Sequence, residues 1–321
     1  MRKVFIAVIV LVAVALFALD LRQFSIKDFK GEYPLVSLKR FLETEEFVSV
    51  EGVVYNVKAD KKFLAVEEAR RLNLSEDRLV GILAIDIDEL SSFDGKNKPA
   101  LVAVNGIIYD VSSSNLWRGG VHRGRHSAGE ELTYDIVKDS PHGIRKLQGF
   151  RTYGVLVFTL EQLSKFAQDT KAKPYVAFSG VVYDVKDSPA YNGRNRTFHS
   201  FPVGQELTYE LSRVENVQAS LSKSFPVGLL IFDAQTLSRF DGTQVRVFNE
   251  ETYKSFIMVA GIVYDVTNVP DWRAELKLED DAQAGKDYTG QFECELEGSC
   301  EHEHADPMVL REFLRVGFGT L

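Results

Sequence analysis

The chain has 321 residues, 45% hydrophobic and 26% charged, and a net charge of −8. This make-up is ordinary for a folded protein, and the length is too great for one small core, so several domains are expected. With a pI near 5.4, nucleic acid is excluded as the expected partner, because phosphate recognition calls for a basic face.

The N-terminus reads Met1-Arg2-Lys3, then an unbroken apolar run over 4–19, then Asp20. A basic flank before an apolar run marks a signal peptide or an uncleaved signal anchor. The run is short for a span, which takes about 17–25 residues. Bulky Leu16, Phe17 and Leu19 beside the small residues argue against cleavage. The expectation for 1–22 is an anchor with Arg2 and Lys3 inside and the rest of the chain outside. A buried amphipathic helix is disfavoured, since the run has no polar face.

Beyond the anchor one pattern recurs four times: an apolar strand, a turn carrying Gly, and a strand ending Tyr-Asp/Asn-Val, at 50–57, 105–111, 179–185 and 260–266. A second marker follows in the same order. Val80-Gly81, Tyr153-Gly154 and Val227-Gly228 each open a strand that leads into Leu-Ser-x-Phe, and the chain ends on Val316-Gly317. Two motifs recurring together predict tandem units over 33–86, 87–158, 159–232 and 233–321, in close contact because no Pro/Ser-rich linker separates them. The first unit has no histidine, a shortened middle and a helix predicted over 66–72. It reads as degenerate, without room for a cofactor.

The second unit is the most informative. Strands over 100–104 and 107–111 flank the hairpin signal Asn105-Gly106. A Gly-rich loop with Trp117, His122 and His126 follows, then a short helix expected to end near 128–129, another short helical piece, and His142. Three of the chain's six histidines fall in this stretch.

These residues resemble the cytochrome b5-like heme-binding superfamily, in its small bacterial members and its membrane-associated progesterone receptor branch. The likeness is carried by VAVNGIIYDV (102–111), WRGG (117–120), HSAGEELT (126–133) and PHG (141–143), and it spans most of one unit. It implies an α+β fold class: tandem small cytochrome b5-like domains, each a short mixed sheet with helices forming a heme slot, behind an N-terminal transmembrane segment. It also implies heme b, with the hairpin that carries Tyr109 lying under it. Where cytochrome b5 places its first ligand, a histidine before Pro-Gly-Gly, this chain has Trp117, whose indole nitrogen is a donor only. The expected first ligand is therefore His126, with His122 in reserve, and His142 stands about where the second histidine falls. Arg118, Arg123 and Arg125 are expected to face the propionates, where guanidinium forks suit carboxylates.

In the third unit His199 answers to His126, and Tyr191 falls where Trp117 lies, the position of the ligating tyrosine in the progesterone-receptor branch. Nothing answers to His142, so a Tyr191-ligated heme, a one-histidine site at His199 and an empty relic all fit. In the fourth unit Trp272 aligns with Trp117, and an acidic insertion carries Cys294, Cys300, His302 and His304. Zinc there is the weaker alternative, because the spacing departs from the usual Cys2His2 pattern. A disulfide or a free surface loop is preferred.

The absence of Cys-x-x-Cys-His excludes covalent c-type heme. No nucleophile elbow, phosphate loop, or flavin or nicotinamide fingerprint is present, so a stand-alone enzyme is not expected. The reading is a membrane-anchored, extracytoplasmic b-type heme protein transferring single electrons to a redox partner protein through a bis-histidine heme in the second unit. The acidic surface would suit a basic redox partner, and solubility alone explains it at least as well. The alternative is a sterol-like ligand or protein-interaction module whose scaffold domains lack heme.

Overall fold

The computed structural model describes residues 19–72, 74–292 and 307–321. In 33–86 the order is β1 (Leu35–Ser37), α1 (Leu38–Glu43), β2 (Phe47–Val50), β3 (Val53–Asn56), β4 (Phe63–Leu64), α2 (Val66–Ala69) and β5 (Leu79–Asp86). In 87–158 it is α3 (Ile87–Ser91), β6 (Leu101–Val104), β7 (Ile107–Asp110), β8 (Val121–His122), β9 (His126–Ser127) and β10 (Arg151–Thr159). The third stretch holds α4 (Leu160–Gln168), β11 (Tyr175–Phe178), β12 (Val181–Asp184), β13 (Tyr191–Asn192), β14 (Thr197–Phe198), β15 (Phe201–Pro202), α5 (Thr208–Ser212), α6 (Val217–Leu221) and β16 (Phe225–Phe232). The fourth holds α7 (Ala234–Leu237), β17 (Asp241–Arg246), β18 (Tyr253–Val259), β19 (Ile262–Asp265), α8 (Trp272–Glu275), β20 (Lys286–Asp287) and β21 (Leu314–Gly319).

The four hairpins form because their turn dipeptides tolerate left-handed backbone. Glu51-Gly52, Asn105-Gly106, Ser179-Gly180 and Ala260-Gly261 all have positive φ at both positions, which matches the twist of the flanking strands. Three turns are pinned alike: the amides of Asn105, Ser179 and Ala260 donate to the hydroxyls of Thr133 (2.7 Å), Thr208 (2.9 Å) and Thr289 (2.8 Å).

Each hairpin then meets a long strand that changes partners halfway. The first half of β10 pairs antiparallel with β7, and its second half runs parallel to β5 and β16. β5, β16 and β21 behave in the same way toward β3, β12 and β19. A bulge interrupts the antiparallel half, ending at Gly81, Gly154, Gly228 and Gly317. A Cβ on Gly154 would lie 2.3 Å from the Leu83 carbonyl oxygen, and one on Gly81 2.1 Å from that of Pro34. Glycine stands there because the chain crosses its neighbour's backbone.

The parallel path closes on itself. β1 pairs with β5, β5 with β10, β10 with β16 and β16 with β21. Thr320, just past β21, bridges back to Leu35 of β1. The Leu321 amide donates to the Leu35 carbonyl (2.8 Å), and the Ser37 amide to the Leu321 carbonyl (3.3 Å). One face of this ring shares a core with residues preceding β1: Leu21, Ile26 and Phe29 are buried with Leu35, Ile82, Val155, Val157, Leu229 and Phe318. The other face packs against Phe41, Leu90, Leu163 and Leu237 from the helices that follow the strands.

The expected fold of small α+β domains, each with its own short sheet behind a transmembrane segment, is therefore corrected. One 16-stranded mixed sheet runs through all four stretches with few, short helices, because each long strand serves its own hairpin and its neighbours together. The membrane-anchored, extracytoplasmic placement is corrected as well. Among the described residues no helix is long and apolar enough to cross a membrane, and residues 1–18 of the expected 1–22 anchor lie outside them. The helix expected to end near 128–129 is replaced by the β8–β9 hairpin, and the one over 66–72 is shorter, at Val66–Ala69.

Candidate functional site

The second stretch departs from the sheet after Asp110. Tight helical turns over Asn115–Gly120 are broken by extended or left-handed backbone at Arg118 and Gly119, and Trp117 is buried in the main core. Gly120 is wedged against the preceding stretch, since a Cβ there would lie 1.7 Å from the Asp94 carbonyl oxygen. The chain turns back as β8–β9, with His122 paired to His126 in register. Cross-strand partners share a face, so both imidazoles lie on one side of the hairpin.

The result is a row of three rings. Trp117 stacks on His122 at 5.1 Å between centroids and 24° between planes, and His122 lies 6.2 Å and 20° from His126. Burial is the largest influence lowering the pKa of His122, helped by Arg123 and His126, which favours the neutral imidazole that a metal requires. Among the described residues neither ring makes a hydrogen bond, so their nitrogens are free to donate to a metal.

His142 lies on the second flank, exposed, at the start of a tight helical segment over Gly143–Gly149 that follows one wide helical turn over Asp135–Asp139. Its amide donates to the Ser140 hydroxyl at 3.3 Å. Among the described residues no ring contact joins His142 to the stacked row. The structure thus brings Trp117, His122 and His126 together and leaves His142 apart on the surface. Gly119, Gly124 and Gly143 would each meet nothing within 4 Å of an added Cβ, so the loops beside all three histidines border open space. A cleft of about 360 Å³ adjoins Trp117, Arg118 and Gly119 and extends toward Lys98 and Ser112; the histidines do not line it.

The other expected residues have different surroundings. Arg118, Arg123 and Arg125 are exposed. Tyr109 is buried, and burial pushes its hydroxyl up to about 12, with Asp20 and Arg22 of the N-terminal segment as its charged neighbours. In the third stretch His199 is held at φ 48°, edge-on to Phe198, with Nε2 at 2.9 Å from the Ser220 hydroxyl. Tyr191 is partly buried in the same core. Trp272 packs on Tyr288 under the Arg273 guanidinium. Cys294, Cys300, His302 and His304 lie outside the described residues, and among those described no group of three or more His, Cys, Asp or Glu is placed to hold a metal ion.

Sequence reasoning missed a pair of buried charge clusters between the stretches. Lys173 Nζ lies 2.8 Å from Glu131 Oε2, which also accepts from the Tyr175 hydroxyl at 2.6 Å. Lys254 Nζ lies 2.9 Å from Glu206 Oε2 and 2.8 Å from Glu210 Oε2, with all three side chains buried. The signal was present in the repeated Glu-Leu-Thr at 131–133 and 206–208.

His122 and His126 offer imidazole donors of the kind heme iron takes, backed by Trp117 and beside open glycine loops, while His142 stands apart from them. No family model and no curated protein matches the chain. Two solved structures are similar to part of it. A cytochrome b5 domain protein of Hadesarchaea YNP_N21 is 43% identical over 23% of this chain and 96% of its own, with a TM-score of 0.22. A cytochrome b5 domain protein of Methanococcoides burtonii is 36% identical over 23% of this chain and 95% of its own, also at 0.22.

Proposed function

We propose that this chain is a heme b-binding electron carrier whose heme is held in the second stretch by His142 and His126, with His122 as the alternative first ligand. The observation that carries the reading is the contrast in free donors. His122 and His126 have unbonded nitrogens beside open loops, whereas the Nε2 of His199 is taken by the Ser220 hydroxyl. The resemblance of 102–143 to the cytochrome b5-like superfamily supports it. Two histidine ligands leave no open iron position, and bound heme would supply one-electron transfer at a potential set by ligand and burial.

The residues of this chain do the rest. Trp117 fixes the His122 ring, the lowered pKa of His122 keeps its lone pair available, and the β8 carbonyl at His122 accepts from the Arg125 amide (3.0 Å) to close the loop. The chain is read as four copies of one unit, over 33–86, 87–158, 159–232 and 233–321, joined through shared strands, of which only the second keeps its cofactor. Its partner is a redox protein.

Titration of the full chain with hemin tests this. One heme per chain with a sharp low-spin visible spectrum is expected. His142→Ala and His126→Ala should each abolish or convert that spectrum, and His199→Ala should leave it unchanged. A chain that takes up no hemin, or a spectrum indifferent to His142, His126 and His122 alike, overturns the assignment and leaves an apolar-ligand or interaction module.

A further inference from the structure

The protein is acidic, yet the rim of the candidate site is not. Between Asp110 and Glu130 there is no carboxylate, while Arg118, Arg123 and Arg125 all lie in that span and all are exposed. The segment led by His142 repeats the pattern with Arg145 and Lys146, both exposed. Among the described residues none of these five cations has an ion pair or a side-chain hydrogen bond. Elsewhere Arg22, Arg151, Lys173 and Lys254 are all engaged by carboxylates.

Apolar side chains stand among the unpaired cations. Leu116 is 51% exposed, Val121 42% and Ile144 37%. Alternation along β8 places Val121 on the opposite face from His122, so it is directed away from the ring row. Exposed aliphatics beside arginines, with Glu130, which accepts from the Ser127 amide at 3.3 Å, as the carboxylate on the hairpin, form the composition of a protein-binding patch: arginine is enriched at such interfaces, and apolar contact supplies the area that charge alone lacks.

We propose that this rim docks the acidic surface of a partner protein, so that the partner approaches the site through Arg118, Arg123 and Arg125, with the exposed Leu116 and Val121 of the same loop supplying apolar contact. This reverses the partner sign suggested by overall charge, because Debye screening at about 8–10 Å makes the local patch outweigh the distant acid excess. The partner's role as an electron-transfer protein rests on the heme reading; the docking itself does not, and it can be measured on the chain without heme.

The test uses the full chain, with and without hemin, and two labelled probes: a strongly acidic [2Fe–2S] ferredoxin and a basic c-type cytochrome. Association of the ferredoxin is expected at low ionic strength, to weaken steeply with salt, and to exceed that of the cytochrome. The variant Arg118→Glu/Arg123→Glu/Arg125→Glu should slow association about tenfold or more, as reversal of rim charges does. Its lysine counterpart should stay near the parent, and both should keep the parent's melting temperature. Leu116→Ser/Val121→Ser should speed dissociation and leave the salt dependence intact.

Preference for the basic cytochrome, or indifference to charge reversal, overturns the proposal. So does equal competition by a DNA oligonucleotide, which would show a bare polyanion site, or tighter ferredoxin binding after deletion of 293–306, which would show that the chain covers its own rim. Loss of hemin uptake in the glutamate variant with ferredoxin binding unchanged would assign the arginines to the propionates instead. Failure of the parent to bind hemin while the ferredoxin still docks would sink the heme reading alone.

Discussion

Glu131 and Thr133 read in the sequence as part of a heme-pocket motif, and in the fold both serve the scaffold: Thr133 pins the Asn105 turn, and Glu131 holds Lys173. The same replacement of role is seen at Glu206, Thr208 and Lys254. No pattern in one sequence separates these uses, because the lysine that decides the matter lies dozens of residues away. Close to each cluster sits an aspartate with one unpartnered buried oxygen, Asp184 and Asp265. Burial raises the carboxyl of each from 3.8 to about 6, with the neighbouring glutamate adding to it and the lysine opposing it. The sign follows from proton counting: between pH 4 and 6 the folded state holds the proton that the unfolded state has lost, so each aspartate's contribution declines as pH rises. The span corresponds to about 3 kcal/mol per group. Asp265→Asn, which keeps the acceptor for the Thr267 amide, should therefore gain stability relative to the parent between pH 4 and 7. Urea unfolding midpoints at both pH values check it, and parallel curves for the two proteins would refute the buried-proton account.

At the scale of elements, the hairpins were legible and the pocket was not. The turn dipeptides and the Tyr-Asp/Asn-Val endings are local signals, and the strands fall within a residue or so of their expected limits. The Gly-rich stretch around His122 and His126 carries no period of its own. Its register is set by backbone contacts such as the Ala128 amide on the Gly120 carbonyl (2.7 Å) and the Gly129 amide on the Leu101 carbonyl (2.7 Å), which no local pattern announces. The Val-Gly marker was visible as a repeat without its cause. Its cause is the crossing, where the strand bulges against its hairpin partner and then takes up a parallel neighbour. Gly154→Ala puts a methyl against a carbonyl oxygen that belongs to β5 and cannot swing aside. A loss of about 2–3 kcal/mol is expected, in the range of overpacked sites, measured by chemical denaturation. Gly149→Ala, where a Cβ meets nothing within 4 Å, is the control and should be near neutral.

At the scale of the molecule, four similar stretches can be arranged as independent beads or as one closed body, and local sequence is the same for both. The choice is made by contacts of the longest separation, such as the Ser37 hydroxyl donating to the Leu321 carbonyl across 284 positions at 3.1 Å. Because β5, β10, β16 and β21 each belong to their own hairpin and to a neighbour, no stretch can open without uncovering an edge of the next, and edges left open are sites of mispairing. The chain is accordingly expected to unfold in one cooperative transition, with calorimetric and van't Hoff enthalpies equal. Deleting Thr320 and Leu321 tests the closure directly. It removes three hydrogen bonds between the two ends, each contributing about 0.5–1.5 kcal/mol, so a loss of roughly 1.5–4.5 kcal/mol is expected with amide exchange accelerated first in β1 and β21. A deletion that shifts neither the melting temperature nor the exchange of β1 would show that the ring is open in solution and that the four stretches stand on their own.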